Sequence, residues 1–426
     1  MKLTNSEIFI SFQPRRTPRI PTFFLVTAFY FFSLLGSAAN LGAANTTASS
    51  NHFPLYPAIR TNVTFWEKIY TRYSTSEAVI HDQYDLSRIY AVIPIIDYMQ
   101  PGAGQLNKSV LDAAEKKYGA ILTRLAQGIT PVTKEEHRIA NMVQGLKKSQ
   151  LVKAGESVRV QIGQKERFRE GVDRSRTYLP EIKKIFRSYN LPEELAYLPH
   201  VESSFNPDAR SKVGASGLWQ FTKSTGKEYL RIDQTVDERH DPILASHAAA
   251  KFLKRNYSVL GSWPLALTAY NYGTAGMARA KRDKGSYEKI FQEYDQGHFK
   301  FASRNFYPEF LAALHSAKKL EQTPSRRAQA PASVTTVRLS RKTSIDAVKR
   351  HFMVDTQTIK TLNPGIESSL LAGKKTFPQG YQLKLPSPAQ SSIKQISATK
   401  SKQMSLLQNE DFRPKSRHAK NFTAGI

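Results

Sequence analysis

Apolar positions recur at helical spacing over most of the chain, and only a segment near the C-terminus alternates like a strand. Leu86, Ile89, Val92 and Ile95/Ile96 fall on one helical face, as do Val110, Ala113, Tyr118 and Ile121 with less regularity. The stretch from Phe65 to about Glu170 therefore reads as a helical packing scaffold without evident chemistry. Tyr178, Ile182, Ile185/Phe186 and Tyr189 mark an amphipathic helix. It stops at Asn190-Leu191-Pro192, where Asn190 can close it in a left-handed conformation. Asp241-Pro242 reads as a helix start, a carboxylate cap followed by proline at the first helical position. Ser262-Trp263-Pro264 starts the next helix. After a Pro/Ala/Arg-rich stretch at 321–333, a short βααβ pattern appears. Val334, Thr336 and Val337 to Leu339 suggest one strand, and Tyr381, Leu383 and Leu385 alternate as a closing strand stopped by Pro386. Between them, Ile345, Val348 and Phe352 share a helix face that Thr343 can cap. Val354, Ile359 and Leu362 form a second short helix ending at Asn363-Pro364-Gly365.

Composition narrows the picture. The chain has 426 residues, too many for one typical domain, and 40% of them are hydrophobic, enough for real cores. There is no cysteine, which excludes disulfide frameworks, thiol catalysis, Cys-ligated zinc and lipid attachment through cysteine. The net charge of +27 points to polyanionic partners such as nucleic acid, acidic lipid or an anionic cell-wall polymer. The excess is densest, per residue, beyond residue 320. No zinc spacing, RNP pattern or long basic recognition helix supports nucleic acid. Arg15, Arg16 and Arg19 precede an apolar run from Phe23 to Leu35, with Ser37 and Ala39 at small-residue spacing behind it. That is the pattern of a cleaved export signal, with a retained anchor as the alternative.

The densest candidate chemistry is LPHVESSFNP from Leu198 to Pro207, followed by SKVGASGLWQF from Ser211 to Phe221. Glu202 lies between apolar Val201 and Phe205, a setting that disfavours its charged form and suits a general acid near neutrality. The turn from Gly214 to Gly217 brings backbone close to a neighbour. Trp219, Gln220 and Phe221 offer a stacking face and an amide, and Tyr270 and Asn271 place a phenol and an amide at a helix end. Taken singly, each has a bland reading as a solvated face, a plain turn or a core aromatic.

Order and spacing change the weight. Glu-Ser-Ser-Phe-Asn-Pro, then a serine, then Gly-Ala-Ser-Gly-Leu-Trp-Gln, then Ala-Tyr-Asn about fifty residues on, resembles the lytic transglycosylases of SLT type. The resemblance covers roughly residues 171–320. It implies a mainly α, lysozyme-like (goose-type/SLT) catalytic domain acting on peptidoglycan. It makes Glu202 the catalytic acid and base, and Ser211, Gly217, Trp219, Gln220, Tyr270 and Asn271 the substrate-binding set. No metal and no cofactor is implied. In the family a single glutamate protonates the glycosidic oxygen and then activates the muramyl C6 hydroxyl, giving a 1,6-anhydro product. The βααβ segment resembles a LysM module, although Arg341-Lys342 stand where Gly-Asp is usual. This order of parts resembles the membrane-bound lytic murein transglycosylase D group.

A one-carboxylate mechanism is compatible with the neighbouring acids. Asp208, Asp233, Asp237, Glu238 and Asp241 all lack the apolar setting of Glu202, although folding could still bring in a partner for a two-carboxylate reaction. The choice between lytic chemistry and a plain muramidase therefore rests on the resemblance. A catalytically silent binding scaffold is the third reading, opposed by the intact Glu202, Gln220 and Tyr270. The expected organisation is a signal or anchor at 1–39, a linker at 40–60 and an N-terminal helical region at 61–170. The catalytic domain follows at 171–320, then a linker at 321–333, the LysM-like module at 334–386 and a basic disordered tail at 387–426. The expected partner is peptidoglycan glycan, with membrane association through the N-terminal segment and no nucleic acid. The expected location is the periplasm or cell envelope, without a lipoprotein anchor.

Overall fold

The structure, a computed structural model, describes residues 52–323 and 334–387. The expected export segment, most of both linkers and the basic tail from 388 lie outside the described residues. Three separate buried cores organise what remains.

The N-terminal region corrects the all-helical expectation. Helix α1 (Arg60–Thr71) is followed by β1 (Glu77–Asp82) and β2 (Ile89–Pro94), then α2 (Ala103–Leu106), α3 (Lys108–Ala126), α4 (Lys134–Met142), α5 (Lys148–Glu156) and β3 (Val158–Ile162). The strands form an antiparallel sheet in the order β2-β1-β3, with Val79 opposite Val92 on one side and Gln161 on the other. Ile89, Val92 and Ile95 suggested a helix face, but the run Ile89-Tyr-Ala-Val-Ile-Pro is short, β-branched and stopped by proline. Pairing with β1 satisfies its backbone and decides for strand. Leu111, Tyr118, Ile121 and Leu122 of α3 cover this sheet in a small core of their own. Thr133 and Glu136 start α4 with a capping box.

Helix α1 does not belong to that core. Its Val63, Phe65, Trp66, Ile69 and Tyr70 pack into the main body with the central helices. Nor is the segment just before it a free linker. Phe53 packs on Trp263 and Phe310, and the Tyr307 hydroxyl donates to the Pro54 carbonyl at 3.0 Å.

The main body comprises α6 (Lys165–Ser188), α7 (Pro199–Glu202), α8 (Lys223–Lys227), α9 (Pro242–Leu260), α10 (Trp263–Tyr272), α11 (Thr274–Lys284), α12 (Tyr287–Glu293) and α13 (Phe301–Glu321). Helix α6 runs unbroken through the expected boundary at 170/171. It ends where expected, with Asn190 left-handed at φ 57° and the Leu191 amide donating to the Phe186 carbonyl. Asp241 caps α9 as expected, accepting from the Ile243 and Leu244 amides. Helix α13 lies against α1, α10, α7 and α6 at once.

The C-terminal unit pairs β4 (Val334–Arg338) with β5 (Gln382–Pro386) around α14 (Ile345–Phe352), α15 (Thr356–Leu362) and the unanticipated α16 (Ser368–Leu371). Ser344, not Thr343, caps α14, because Thr343 is engaged in a backbone bridge to Phe377. This unit is latched to the main body. Val236 bridges Ile366, the Asp237 amide donates to the Gly365 carbonyl at 2.8 Å, and the Glu367 amide donates to the Thr235 carbonyl at 3.0 Å. The Lys384 ammonium meets Asp241 at 2.6 Å. Gly365 permits this approach, since a Cβ there would stand 2.8 Å from the Asp237 carbonyl oxygen.

Candidate active site

Glu202 ends the short helix α7, and the chain then turns sharply. Ser204 and Phe205 both take left-handed backbone, at φ 51° and 55°, a conformation rarely occupied by non-glycine residues. The surroundings hold it there. The Arg174 guanidinium donates twice to the Ser204 carbonyl, at 2.8 and 3.2 Å, and the Phe205 ring is fully buried against His200. Ser203 ties this turn to the glycine-rich loop by donating to the Leu218 carbonyl at 2.8 Å.

The Glu202 side chain is 3% exposed, and its Oε1 is fully buried without a hydrogen-bond partner. Burial, followed by the charge of Glu309, holds its carboxyl well above the usual carboxylate range. Its surroundings therefore favour the protonated acid over the carboxylate. His200, two residues earlier, is no rival: burial pushes its imidazole down to about 3, and it sits as a neutral ring among Phe168, Tyr197 and Phe205.

The glycine-rich loop is braced from behind. Arg239 donates to the carbonyls of Gly214 and Phe221, at 2.8 and 3.0 Å, and pairs with Asp237 at 2.6 Å with both side chains 7% exposed. At Gly217, φ is +79° and a Cβ would stand 1.8 Å from the Arg239 carbonyl oxygen. The close neighbour anticipated for this turn is thus Arg239. Gln220 is 3% exposed and donates its amide to the carbonyls of Gly217 and Ala209, so it locks the loop. Ser211 accepts from the Ala215 amide at 2.9 Å within the same turn.

Trp219 needs correction. Its indole is 0% exposed, stacks on Phe186 and donates to the Ser246 hydroxyl at 2.8 Å, so it offers no face to a ligand. An apolar ring with one satisfied N–H belongs in the core, and α9 supplies the acceptor.

Tyr270 does come to the site. Its ring lies parallel to Phe306 and near Phe221 and Phe252, and its hydroxyl donates to the Trp219 carbonyl at 2.7 Å. Burial, and then the charge of Glu202, keep this phenol protonated. Asn271 is held by a 2.8 Å hydrogen bond from Ser303 of α13 to its Oδ1.

Two groups went unnoticed in the sequence. Glu309 of α13 accepts from the Tyr70 hydroxyl of α1 at 2.9 Å. It is half-buried and lies within electrostatic reach of Glu202. Burial pushes Glu309 up to about 7, against the downward pull of the Tyr70 bond. Its signal was the same as that of Glu202, a carboxylate inside an apolar run, here Phe306-Tyr-Pro-Glu-Phe-Leu311. Tyr70 carried no signal, because only the fold brings α1 to α13.

The other acids are occupied elsewhere. Burial would raise Asp237, but its hydrogen bonds and ion pair with Arg239 hold it below the usual range. Asp233 accepts from Thr235 and Val236 in an exposed turn, Glu238 accepts from the Arg231 amide, and Asp208 is exposed. Among the described residues no group of three or more His, Cys, Asp or Glu could hold a metal ion. No helix among them is long and apolar enough to cross a membrane.

Comparison with known proteins places these residues in context. Residues 181–292 match the family described as "Transglycosylase SLT domain". The matched span includes Glu202, the glycine-rich loop and Tyr270-Asn271, but neither Tyr70 nor Glu309. Membrane-bound lytic murein transglycosylase D of Escherichia coli (strain K12) is 26% identical over 235 residues, 51% of this chain and 52% of that protein. Peptidoglycan transglycosylase gp16 of Escherichia phage T7 is 38% identical over 112 residues, 25% of this chain and 8% of that protein. An X-ray structure of an inactive mutant of lytic transglycosylase Slt from Pseudomonas aeruginosa shares 17% identity, covering 47% of this chain and 30% of that one. Its TM-score of 0.29 carries no argument about the fold. The chain spans about half the length of the Escherichia coli relative.

Proposed function

We propose that this chain, which carries a lysozyme-like SLT-type transglycosylase domain and is homologous to membrane-bound lytic murein transglycosylase D, is a peptidoglycan lytic transglycosylase. The observation that carries the proposal is Glu202: a buried carboxyl with an unpartnered oxygen, held well above the usual carboxylate range, next to a serine bonded to the glycine-rich loop and within electrostatic reach of Tyr270.

Its substrate is the β-1,4 bond between MurNAc and GlcNAc. Glu202 gives its proton to the glycosidic oxygen as the C1–O bond breaks, and the GlcNAc leaves as an alcohol. The carboxylate so formed then takes the proton of the muramyl C6 hydroxyl as that oxygen bonds to C1. The acid is restored, a 1,6-anhydro end is made and no water is consumed. Protonating a leaving group by a positioned acid is worth about 10²- to 10⁴-fold in rate. Burial of Glu202 supports this role, because an ionised carboxylate there would be poorly solvated and the carboxyl therefore keeps a proton to give at higher pH than an exposed glutamate would. Tyr270 and the Gln220-braced loop position the sugar. The C-terminal βααβ unit acts as a LysM-like glycan holder, and the basic surface favours an anionic envelope. The chain works outside the cytoplasm, delivered or held by its N-terminal apolar segment.

The test is digestion of purified sacculi by wild type and Glu202→Gln, with muropeptides analysed by mass spectrometry. Anhydro-muropeptides from wild type alone are expected. Reducing-end products would instead assign a hydrolytic muramidase. No release by either protein would make the chain a binding scaffold.

A further inference from the structure

A second carboxylate, Glu309, within electrostatic reach of Glu202, is unused by this mechanism. Helix α13 packs directly against α7, which carries Glu202, and against α1, which carries Tyr70. Asn305 and Glu309 are four residues apart and so share a face of α13. Asn305 accepts from the Asn62 amide at 2.8 Å and the Trp66 indole at 3.3 Å, and Glu309 accepts from Tyr70 at 2.9 Å. This row of bonds fixes the carboxylate in place. On the other side, Phe306 lies parallel to the Tyr270 ring, whose hydroxyl group is itself within electrostatic reach of Glu202.

We propose that Glu309, gripped by Tyr70 across the α1–α13 contact, is a positioning residue for Glu202: its negative charge keeps the proton on Glu202 until the leaving oxygen takes it. The inference rests on the transglycosylase reading for its kinetic consequence, but the coupling of the two carboxyls stands apart from it. The Tyr70 phenol donates to Glu309 and so favours its ionised form. Burial and the nearby Glu309 and Glu202 charges keep the phenol itself protonated. Glu309 has a donor that stabilises its charge, whereas the buried Glu202 Oε1 has no partner, so the negative charge of the pair settles on Glu309. The other groups around the pair do not reverse this order. Tyr270 approaches Glu202 from α10 as a neutral phenol, and His200 is a neutral ring on the same helix as Glu202. Arg167 of α6 acts electrostatically on Tyr70, and Arg174 on His200. Neither cation acts appreciably on Glu309, whose perturbation comes from burial and Tyr70.

The test measures initial rates on solubilised peptidoglycan against pH for wild type, Glu309→Gln, Glu309→Asp and Tyr70→Phe. Glu67→Gln is the control, because it breaks only the exposed Glu67–His315 contact between the same two helices. Activity needs Glu202 protonated, so removing a neighbouring negative charge lowers the pH at which that proton is lost. In Glu309→Gln the alkaline limb of kcat/KM should move down by about one pH unit. That gives about a tenfold loss above both limbs and near-normal rates at low pH. Tyr70→Phe should move the limb the same way by less, Glu309→Asp should restore part of the shift, and Glu67→Gln should not move it. A uniform loss at every pH, or an unmoved limb in Glu309→Gln, overturns the proposal. The carboxyl titration of Glu202, followed by ¹³C NMR in glutamate-labelled protein and assigned with Glu202→Gln, is read in parallel. If that titration moves down in Glu309→Gln while wild type makes no anhydro product, the coupling holds and the transglycosylase reading fails. If wild type makes the product and neither the limb nor the titration moves, the reverse is true.

Discussion

The Tyr270 hydroxyl donates to the backbone carbonyl of Trp219 at 2.7 Å, stitching the end of α10 to the glycine-rich loop fifty-one residues earlier. The same phenol lies within electrostatic reach of Glu202, so the stitch is made close to the acid. Tyr270→Phe keeps the ring packing and removes this stitch. The expected cost is about 1 kcal/mol of stability by chemical denaturation. The larger effect should fall on kcat, about 10- to 100-fold, because a loop displaced by an ångström misplaces the sugar.

Glu202→Gln should be inactive and yet more stable at neutral pH. The folded-state carboxyl binds its proton more tightly than the unfolded one. Between the unfolded value, about 4.3, and the raised folded value, the native state holds more protons, so wild-type stability falls as pH rises. The amide has no such slope. Melting temperatures should therefore favour Glu202→Gln at pH 7.5 and converge near pH 4. Equal pH slopes for the two proteins would contradict the buried-acid description.

Arg239→Met should loosen the glycine-rich loop and leave Asp237 buried without its partner. Breaking one side of such a pair costs about 3–5 kcal/mol. Equilibrium unfolding in urea checks the magnitude, and hydrogen exchange at Gly214 to Phe221 checks the location.

Gly217→Ala addresses the same brace sterically. The added Cβ meets the Arg239 carbonyl at 1.8 Å on a backbone at φ +79°. A loss of more than about 2 kcal/mol is expected, since neither the clash nor the left-handed strain can be relieved alone. A protein of wild-type stability would show that the loop can leave Arg239 freely.

Much of the main body could be read directly because its signals are local. Asn190 closes α6 and Asp241 caps α9, since cap geometry depends on a few adjacent residues. The burial of Glu202 was readable from its apolar flanks. The failures are non-local. Ile89 to Pro94 fits a helix stripe nearly as well as a strand, and only the partner strand β1 decides. Trp219 taken alone reads more often as a core ring, but the motif made it a ligand contact, and the outcome depended on Ser246 and Phe186 arriving from distant helices. Glu309 showed the flanking pattern of Glu202 but lies about a hundred residues away, and Tyr70 lies further still in the other direction. Their meeting follows from α1 leaving the N-terminal region to pack on α13.

The C-terminal unit gives a further prediction. Lys384→Glu would set two carboxylates against each other where Lys384 now meets Asp241. The bridge at Val236–Ile366 should then open, with faster hydrogen exchange at the Asp237 and Glu367 amides. Asp241 itself is the wrong residue to change, because it also caps α9. Unaltered exchange would show that the backbone bridge suffices without the ion pair.

That latch has a geometric consequence for products. A holder swinging on a loose tether would let the cut fall anywhere within its reach along a strand. The C-terminal unit, bolted through the 234–241 segment, stands at one offset from Glu202, and the Gly365 contact draws the two backbones close. Were it to grip glycan, it would act as a ruler. Released fragments would then cluster at a preferred number of disaccharides, and opening the latch with Lys384→Glu would spread that distribution without slowing the cut.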